Sequence, residues 1–355
     1  MDIESKIDLA LKPPTEELVT REDLKAVLET EARPGHYIGF EISGHLHLGT
    51  LVLSSFKIND LAKAGFKTKV FLADWHSVLN KKLGGDWEKI LLAAKYYEEA
   101  FKFMCPDAEI VLGSDLYHDN DSYWRDVMRF SLHISLARTA RCLTIMGRSE
   151  NEKLDLAQYI YPPMQGVDIH EIGAHIAHGG MDQRKIHMLA REVFPALGWK
   201  KPVALHQHLL PGLAEPPKVE EGADKEAKTL AAKMSKSKPW TAVFVHDSTE
   251  EVKSKLAKAY CPPAAEGNPV LELAKYVVFH EFKEVTVRRE ARFGGDVAFA
   301  SYEEMEKAFL AKKLHPADIK NCVAEHVDKI IAPVRKHFEN KKELLEVYKT
   351  VEITR

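Results

Sequence analysis

The stretch from Tyr37 to Thr50 obliges the chain to turn sharply from a strand into a helix. Tyr37, Ile38 and Phe40 form a short apolar run of strand type, Gly44 breaks it, and Leu48, Leu51, Val52 and Phe56 recur at helical spacing. The N–H groups and positive dipole end of such a helix make the turn a place for phosphate. His47 and Gly49 sit there: an imidazole can donate to a phosphate oxygen, and a glycine lets a nucleotide approach the backbone. Strand, glycine turn and helix is also the commonest unit of α/β proteins, so the stretch alone specifies local structure and not chemistry.

The unit continues. Val70 to Ala73 reads as a buried strand ending at Asp74, Trp75 and His76, where polar residues past a parallel strand are placed either for binding or for structure. A helix from about Asp86 to Met104 and a strand over Ile110 to Leu112 follow. The β, α, β, α, β order predicts a doubly wound parallel sheet. Residues 1 to 32 read as two short helices, the second capped by Thr20 with Asp23 three residues on. From Ser122 to Met146 the pattern is helical, with Val127, Phe130, Ile134 and Leu136 along one side.

Pro162 and Pro163 speak against regular helix before Met164; from there on Gln165 and Asp168 fall three apart on one face. Ile172 to His178 is strand-like, and Gly180, Met181, Asp182 and Gln183 lead into a helix carrying Ile186, Leu189 and Val193. Val203 to Leu205 gives a further strand, and Glu215 to Lys228 a loop. Beyond Pro239 the style changes: a short strand over Trp240 to Val245, capping boxes at Ser248 with Glu251 and at Ser301 with Glu304, a small strand at Val285 to Val287, and otherwise helix. The domain boundary is therefore expected near residue 240, with the charged end from Lys336 to Lys349 as a solvated helix.

Composition excludes more than it selects. The 355 residues suffice for two domains, and a net charge of −3 requires any nucleic acid to be met by local basic patches. Cys105, Cys142, Cys261 and Cys322 lie far apart, which fits a reducing, cytoplasmic setting and argues against a disulfide framework or thiolate zinc site. No apolar run is long enough to span a bilayer. His170, His175, His178, His206 and His208 follow no zinc spacing, and no structural metal is expected.

Far along the chain Lys233, Met234, Ser235, Lys236 and Ser237 form a second motif. With His47 to Thr50 it resembles the paired HIGH and KMSKS signatures of class I aminoacyl-tRNA synthetases. Within that class Tyr37 to Glu41, Tyr161 to Asp168 and Gly180 to Lys185 are similar to the tyrosyl enzymes of archaea and eukaryotes, and the resemblance covers nearly the whole chain. It implies a Rossmann-like doubly wound catalytic domain over residues 1–240 with a helical insertion at about 114–160 and a signature loop at 233–237. A mainly α-helical anticodon-binding domain over 241–355 would follow. The implied reaction joins L-tyrosine to ATP, with Mg2+, as tyrosyl-adenylate and then charges tRNA(Tyr); the insertion implies a homodimer.

By the resemblance His47, Lys233 and Lys236 are catalytic, and Tyr37 and Asp168 hold the substrate's phenol. Tyr161, Gln165 and Gln183 hold its ammonium and carboxylate end. ATP meets His47, Gly49, Thr50, Gly180, Asp182, Met234, Ser235 and Lys236, and Glu41 faces either the amino group or the nucleotide. Arg141 and Arg184 lie near the tRNA acceptor end, and Phe293 and Asp318 grip the first anticodon base. Thr50 departs from the signature, whose fourth position is often histidine. Rejection of phenylalanine by leaving buried polar groups unpaired, without editing, is a known property of this family. Two other readings share many features: a tryptophanyl enzyme, disfavoured because an indole only donates, and an RNA-binding paralogue without catalysis, disfavoured by the intact lysines.

Overall fold

The computed structural model describes residues 1–146, 154–217, 225–236 and 238–349. Parts of the expected insertion and of the Glu215 to Lys228 loop, and Ser237 of the second motif, lie outside the described residues. By compactness the chain divides into two units: residues 1–44, 57–208 and 343 onward, and residues 45–56 with 209–342. The change of style near residue 240 is thus not the compact division, which falls just after His208 and sends the first signature with the later residues.

The first unit is built on a six-stranded sheet of β1 (Thr15–Val19), β2 (Gly35–Glu41), β3 (Lys67–Ala73), β4 (Glu109–Leu112), β5 (Ile176–Gly180) and β6 (Val203–Gln207). Their order is β1-β6-β5-β2-β3-β4, all parallel except β1, which runs antiparallel to β6. From β2 the chain winds one way through β3 and β4, then returns to β5 and β6 on the other side. The switch point therefore lies between the carboxyl ends of β2 and β5, where doubly wound sheets bind ligands. Neighbouring strand residues enter different cores, as alternation demands: Ala177 joins Tyr37, Phe71 and the insertion helices, while Ile176 joins Val203, Leu205 and the N-terminal helices.

Several elements differ from expectation. The first 32 residues hold a helix (Ile3–Leu11), then β1, then a helix (Arg21–Thr30) whose cap is the expected Thr20. The strand was hidden because Glu16 and Glu17 break its apolar alternation, and they face partners elsewhere: His208 for Glu16, His206 and Arg184 for Glu17. The expected helical stretch from Ser122 to Met146 is divided into two helices, Asp121–Ser131 and Leu136–Cys142, and a 3-10 turn, Leu143–Met146. The helix over Tyr161–Glu171 begins at Tyr161, because both prolines sit in the first turn, where no N–H partner is lost. The strand after it starts only at Ile176. The end of the chain is not a solvated helix: a 3-10 helix, Lys342–Lys349, buries Tyr348 against Tyr96, their ring centres 5.7 Å apart.

The second unit is mainly helical. Its long helix Pro316–His337 packs against Thr249–Lys258, whose capping box of Ser248 and Glu251 is complete. A small hairpin, β7 (Val285–Val287) with β8 (Val297–Phe299), supplies the expected strand. At Ser301 only half of the expected box forms, since Glu304 accepts from Ala300 instead. Trp240 to Val245 is not a regular strand: Pro239–Thr241 is a 3-10 turn, and the rest makes one bridge, His47 with Phe244. Among the described residues no helix is long and apolar enough to cross a membrane.

Candidate active site

In the first unit, the helix Tyr161–Glu171 lays Tyr161, Gln165 and Asp168 along one side, because positions four and three apart stack on a helix. Asp168 is fully buried, and its carboxyl is the centre of a polar cluster. The Tyr123 hydroxyl donates to Oδ1 across 2.8 Å and the Tyr117 hydroxyl to the same oxygen across 3.0 Å. Oδ2 has no hydrogen-bond partner. Burial pushes the carboxyl well above the ordinary range, and the two phenols pull it back. Tyr37, from β2, is buried beside it; burial and the Asp168 charge push its hydroxyl well above the usual value. The Tyr37 hydroxyl lies over Gly39, two residues along the same strand face, and a methyl group on Gly39 would collide with it.

His76, just past β3, completes this cluster. Its Nε2 lies 3.5 Å from Asp168 Oδ2, and its ring stands edge-on to Tyr161 at 4.4 Å. Burial lowers its pKa to about 3, against an opposing pull from the Tyr161 backbone, so the ring is neutral. Sequence reasoning left His76 open and missed Tyr117 and Tyr123 altogether. Nothing in the local pattern marks them: they are two aromatics on amphipathic elements whose shared target, Asp168, is remote in sequence.

At the other end of the same helix face, the Gln165 amide donates to Gln183 Oε1 at 3.1 Å, which brings together the two glutamines expected at one end of the substrate. Gln183 and Asp182 belong to a 3-10 turn, Met181–Gln183, directly after Gly180 at the end of β5. Glu41 is committed within the protein: Asn80 donates to Oε1 at 2.7 Å and the Lys82 ammonium lies 3.4 Å from Oε2. It also bears on Tyr161, whose hydroxyl is pushed well above its usual value by burial first and by Glu41 second.

The two signatures come together in the second unit. Leu48 N–H donates to Val243 O and Val245 N–H to Leu46 O, which fixes the first signature, while Met234 N–H donates to Leu210 O beside a bridge between Pro211 and Lys233. His47 is held neutral with a pKa of about 3 by burial and then by the charges of Lys236 and Lys233, so both lysines act on the imidazole. Its Nδ1 accepts from Gly49 N–H at 3.1 Å, which leaves the ring proton on Nε2, 2.9 Å from the Thr50 hydroxyl. In this conformation the ring proton of His47 is engaged by the Thr50 hydroxyl. Gly49 has its would-be side-chain position against the His47 ring, at 3.2 Å from Cε1, so any larger residue would press on the imidazole. Met234 is buried and anchors the motif.

The expected RNA contacts are dispersed. Arg141 is exposed on its helix, whereas Arg184 is paired with Glu17, its Nε 2.9 Å from Oε2. Phe293 is 59% exposed on a loop braced by Arg289, which donates to Gly295 O and Lys313 O; the Arg292 guanidinium sits 4.7 Å from the Phe293 ring centre. Asp318 accepts from His315 N–H at 3.3 Å and so caps the long helix. The histidines considered as metal ligands do not converge: His178 pairs with His36 and Gln207, His206 with His187 and Glu17, and His175 with Gly35 N–H, while His170 stacks on Trp199. The one triad of possible donors among the described residues, Asp126, His170 and Glu171, has Asp126 already occupied by Arg129 at 2.7 Å.

Residues 29–332 match the family described as class I tRNA synthetases (W and Y). The tyrosine–tRNA ligase of Thermococcus kodakarensis is 50% identical over the whole of both chains. The crystal structure of the Pyrococcus horikoshii tyrosyl-tRNA synthetase complexed with L-tyrosine matches with a TM-score of 0.92 and 48% identity, covering 99% of this chain and 100% of that one. A tryptophanyl-tRNA synthetase from Aeropyrum pernix shares the fold, with a TM-score of 0.67 at 18% identity over 94% of this chain and 85% of that one.

Proposed function

The chain belongs to the class I tRNA synthetases, in the tyrosine branch of archaeal type, and from that membership we propose how its own residues carry the reaction. That reaction is the one of a tyrosine–tRNA ligase: L-tyrosine and ATP give tyrosyl-adenylate and pyrophosphate, and tyrosine then passes to the 3′-terminal ribose of tRNA(Tyr). The observation that carries the assignment of the substrate pocket is Asp168. A buried carboxyl with one oxygen saturated by two phenols and the other without a partner is a receptor for a hydroxyl proton. Tyr37 adds a hydroxyl that can donate back, so a phenol is matched and a phenyl ring is not. Gln165, Gln183 and Tyr161 receive the ammonium and carboxylate end, and Glu41 supports Tyr161 there.

ATP, as its magnesium salt, takes its ribose to Asp182 and Gly180 and its phosphates to the signatures. Attack of the tyrosine carboxylate on the α-phosphorus breaks the bond to pyrophosphate, so negative charge builds on the phosphate oxygens. Lys233 and Lys236 neutralise it, with Met234 and Ser235 setting the loop that carries them. The neutral His47 donates to Thr50, which frees the threonine's own proton for a phosphate oxygen: a two-member relay where the signature more often has two imidazoles.

For the RNA, Arg141 and Arg184 serve the acceptor end, Arg184 by exchanging its half-exposed pair with Glu17, which is weak enough to be displaced. Phe293 stacks on a splayed anticodon base and Asp318 accepts from it. A homodimer is favoured by the apolar surface of the insertion, where Leu132, Leu136 and Leu156 are 85%, 70% and 81% exposed. The test is amino-acid-dependent exchange of labelled pyrophosphate into ATP with tyrosine, tryptophan and phenylalanine in parallel. Exchange with tyrosine alone is expected; exchange with tryptophan only, or with none, would sink the reading.

A further inference from the structure

We infer that His76 is a third contact for the substrate's phenol, donating from Nε2 to the oxygen whose proton goes to Asp168 Oδ2. The inference rests on the tyrosine pocket proposed above and extends it. His76 is 1% exposed, and neither ring nitrogen has a partner in good hydrogen-bond geometry, the Tyr161 backbone being the group besides Asp168 that bears on the ring; a buried polar group left so costs roughly 1–3 kcal/mol. Packing against Tyr161 and Phe71 does not explain it, since a leucine or phenylalanine would fill the same space without the penalty. The one other unsatisfied polar atom in contact is Asp168 Oδ2, 3.5 Å from Nε2 and outside hydrogen-bond geometry with it. Two unsatisfied groups of opposite character, side by side and sealed from water, describe a place for one small polar group that donates and accepts.

A phenolic hydroxyl is such a group. It has one proton to give and lone pairs to receive. An accepting carboxyl oxygen 3.5 Å from Nε2 favours the tautomer with its proton on that nitrogen, and burial keeps the ring from taking a second. Tyr117 and Tyr123 make the arrangement one-sided by holding Oδ1, so the incoming proton goes to the oxygen nearest His76. Once it binds, the hydroxyl is the third donor on the carboxyl, which favours the ionised form.

The test compares tyrosine and phenylalanine in pyrophosphate exchange for the wild type, His76→Phe and His76→Gln, the last keeping a donor near the Nε2 position. His76→Phe should lower kcat/KM for tyrosine about 10- to 100-fold while changing that for phenylalanine less than about threefold, and His76→Gln should restore most of the selectivity. Parallel loss with both amino acids would make His76 structural and overturn the inference. Wild-type enzyme offered 4-aminophenylalanine, whose amine donates but accepts poorly, should use it at least about tenfold less well than tyrosine; equal use would also overturn it. This arm needs no variant to fold. Absence of tyrosine-dependent exchange in the wild type would overturn the functional reading itself, whereas normal wild-type exchange with an unchanged ratio in His76→Phe overturns this inference alone.

Discussion

The Nε2 of His47 lies 2.9 Å from the hydroxyl of Thr50, so the first and fourth positions of the first signature form one hydrogen-bonded pair. The imidazole cannot turn outward without giving up both this bond and the one from Gly49 N–H. Thr50→Ala should therefore slow adenylate formation about tenfold, the equivalent of one hydrogen bond at about 1.4 kcal/mol, with little change in tyrosine KM. Thr50→Ser should retain activity. Single-turnover adenylate formation distinguishes the two, and an unaffected Thr50→Ala would remove the hydroxyl from phosphate chemistry.

In the proposed reaction Lys236 serves where charge develops and not where tyrosine rests. Lys236→Ala should reduce the rate of adenylate formation by about two orders of magnitude or more, while tyrosine affinity measured by equilibrium dialysis stays within about twofold. A matched loss in both would contradict a role confined to the transition state.

Tyr123→Phe and Tyr117→Phe each remove one donor from Asp168 Oδ1. A hydrogen bond to a charged group contributes about 1.5–3 kcal/mol, so each change should weaken tyrosine about tenfold or more and erode its advantage over phenylalanine. Because both phenols serve one oxygen, the double variant should lose less than the sum. Additive losses in a double-mutant cycle would show that they act independently.

The first unit buries several histidines in the neutral form: His36 and His76 at about 3, His178 and His187 well below the ordinary value, all through burial first. Each binds a proton in the unfolded chain from about pH 6.5 downward and not in the folded one, so stability is lost as the pH falls through that range. Asp168, whose folded value is raised, works in the opposite sense with one proton. The net slope is of order 3–4 kcal/mol per pH unit at most. The urea midpoint should accordingly begin to fall between pH 6.5 and 5, before ordinary carboxylates titrate; a flat midpoint over that interval would count against neutral burial.

The sheet was legible because its strands are continuous apolar runs bounded by turns, and the signatures because their residue types and order are specific. What escaped has a common cause. β1 carries Glu16 and Glu17 against histidines and an arginine contributed from elsewhere in the chain, and the prolines after Tyr161 read as a break when they are only a helix start. Tyr117 and Tyr123 matter to Asp168 only through three-dimensional convergence, which no local period encodes. Spacing puts Asp168 on one face with Gln165 and the resemblance implies its role, but neither says which of its oxygens is kept open.

Gly39 beneath the Tyr37 hydroxyl carries a historical consequence. As long as position 37 holds its phenol in this place, a side chain at 39 is excluded, so position 39 cannot drift alone. A lineage that shortens residue 37 to admit a bulkier amino acid releases 39 at the same moment, and once 39 has acquired a side chain the road back to tyrosine at 37 is closed. The pair works as a ratchet on substrate choice, and libraries meant to redirect this pocket should vary both positions together.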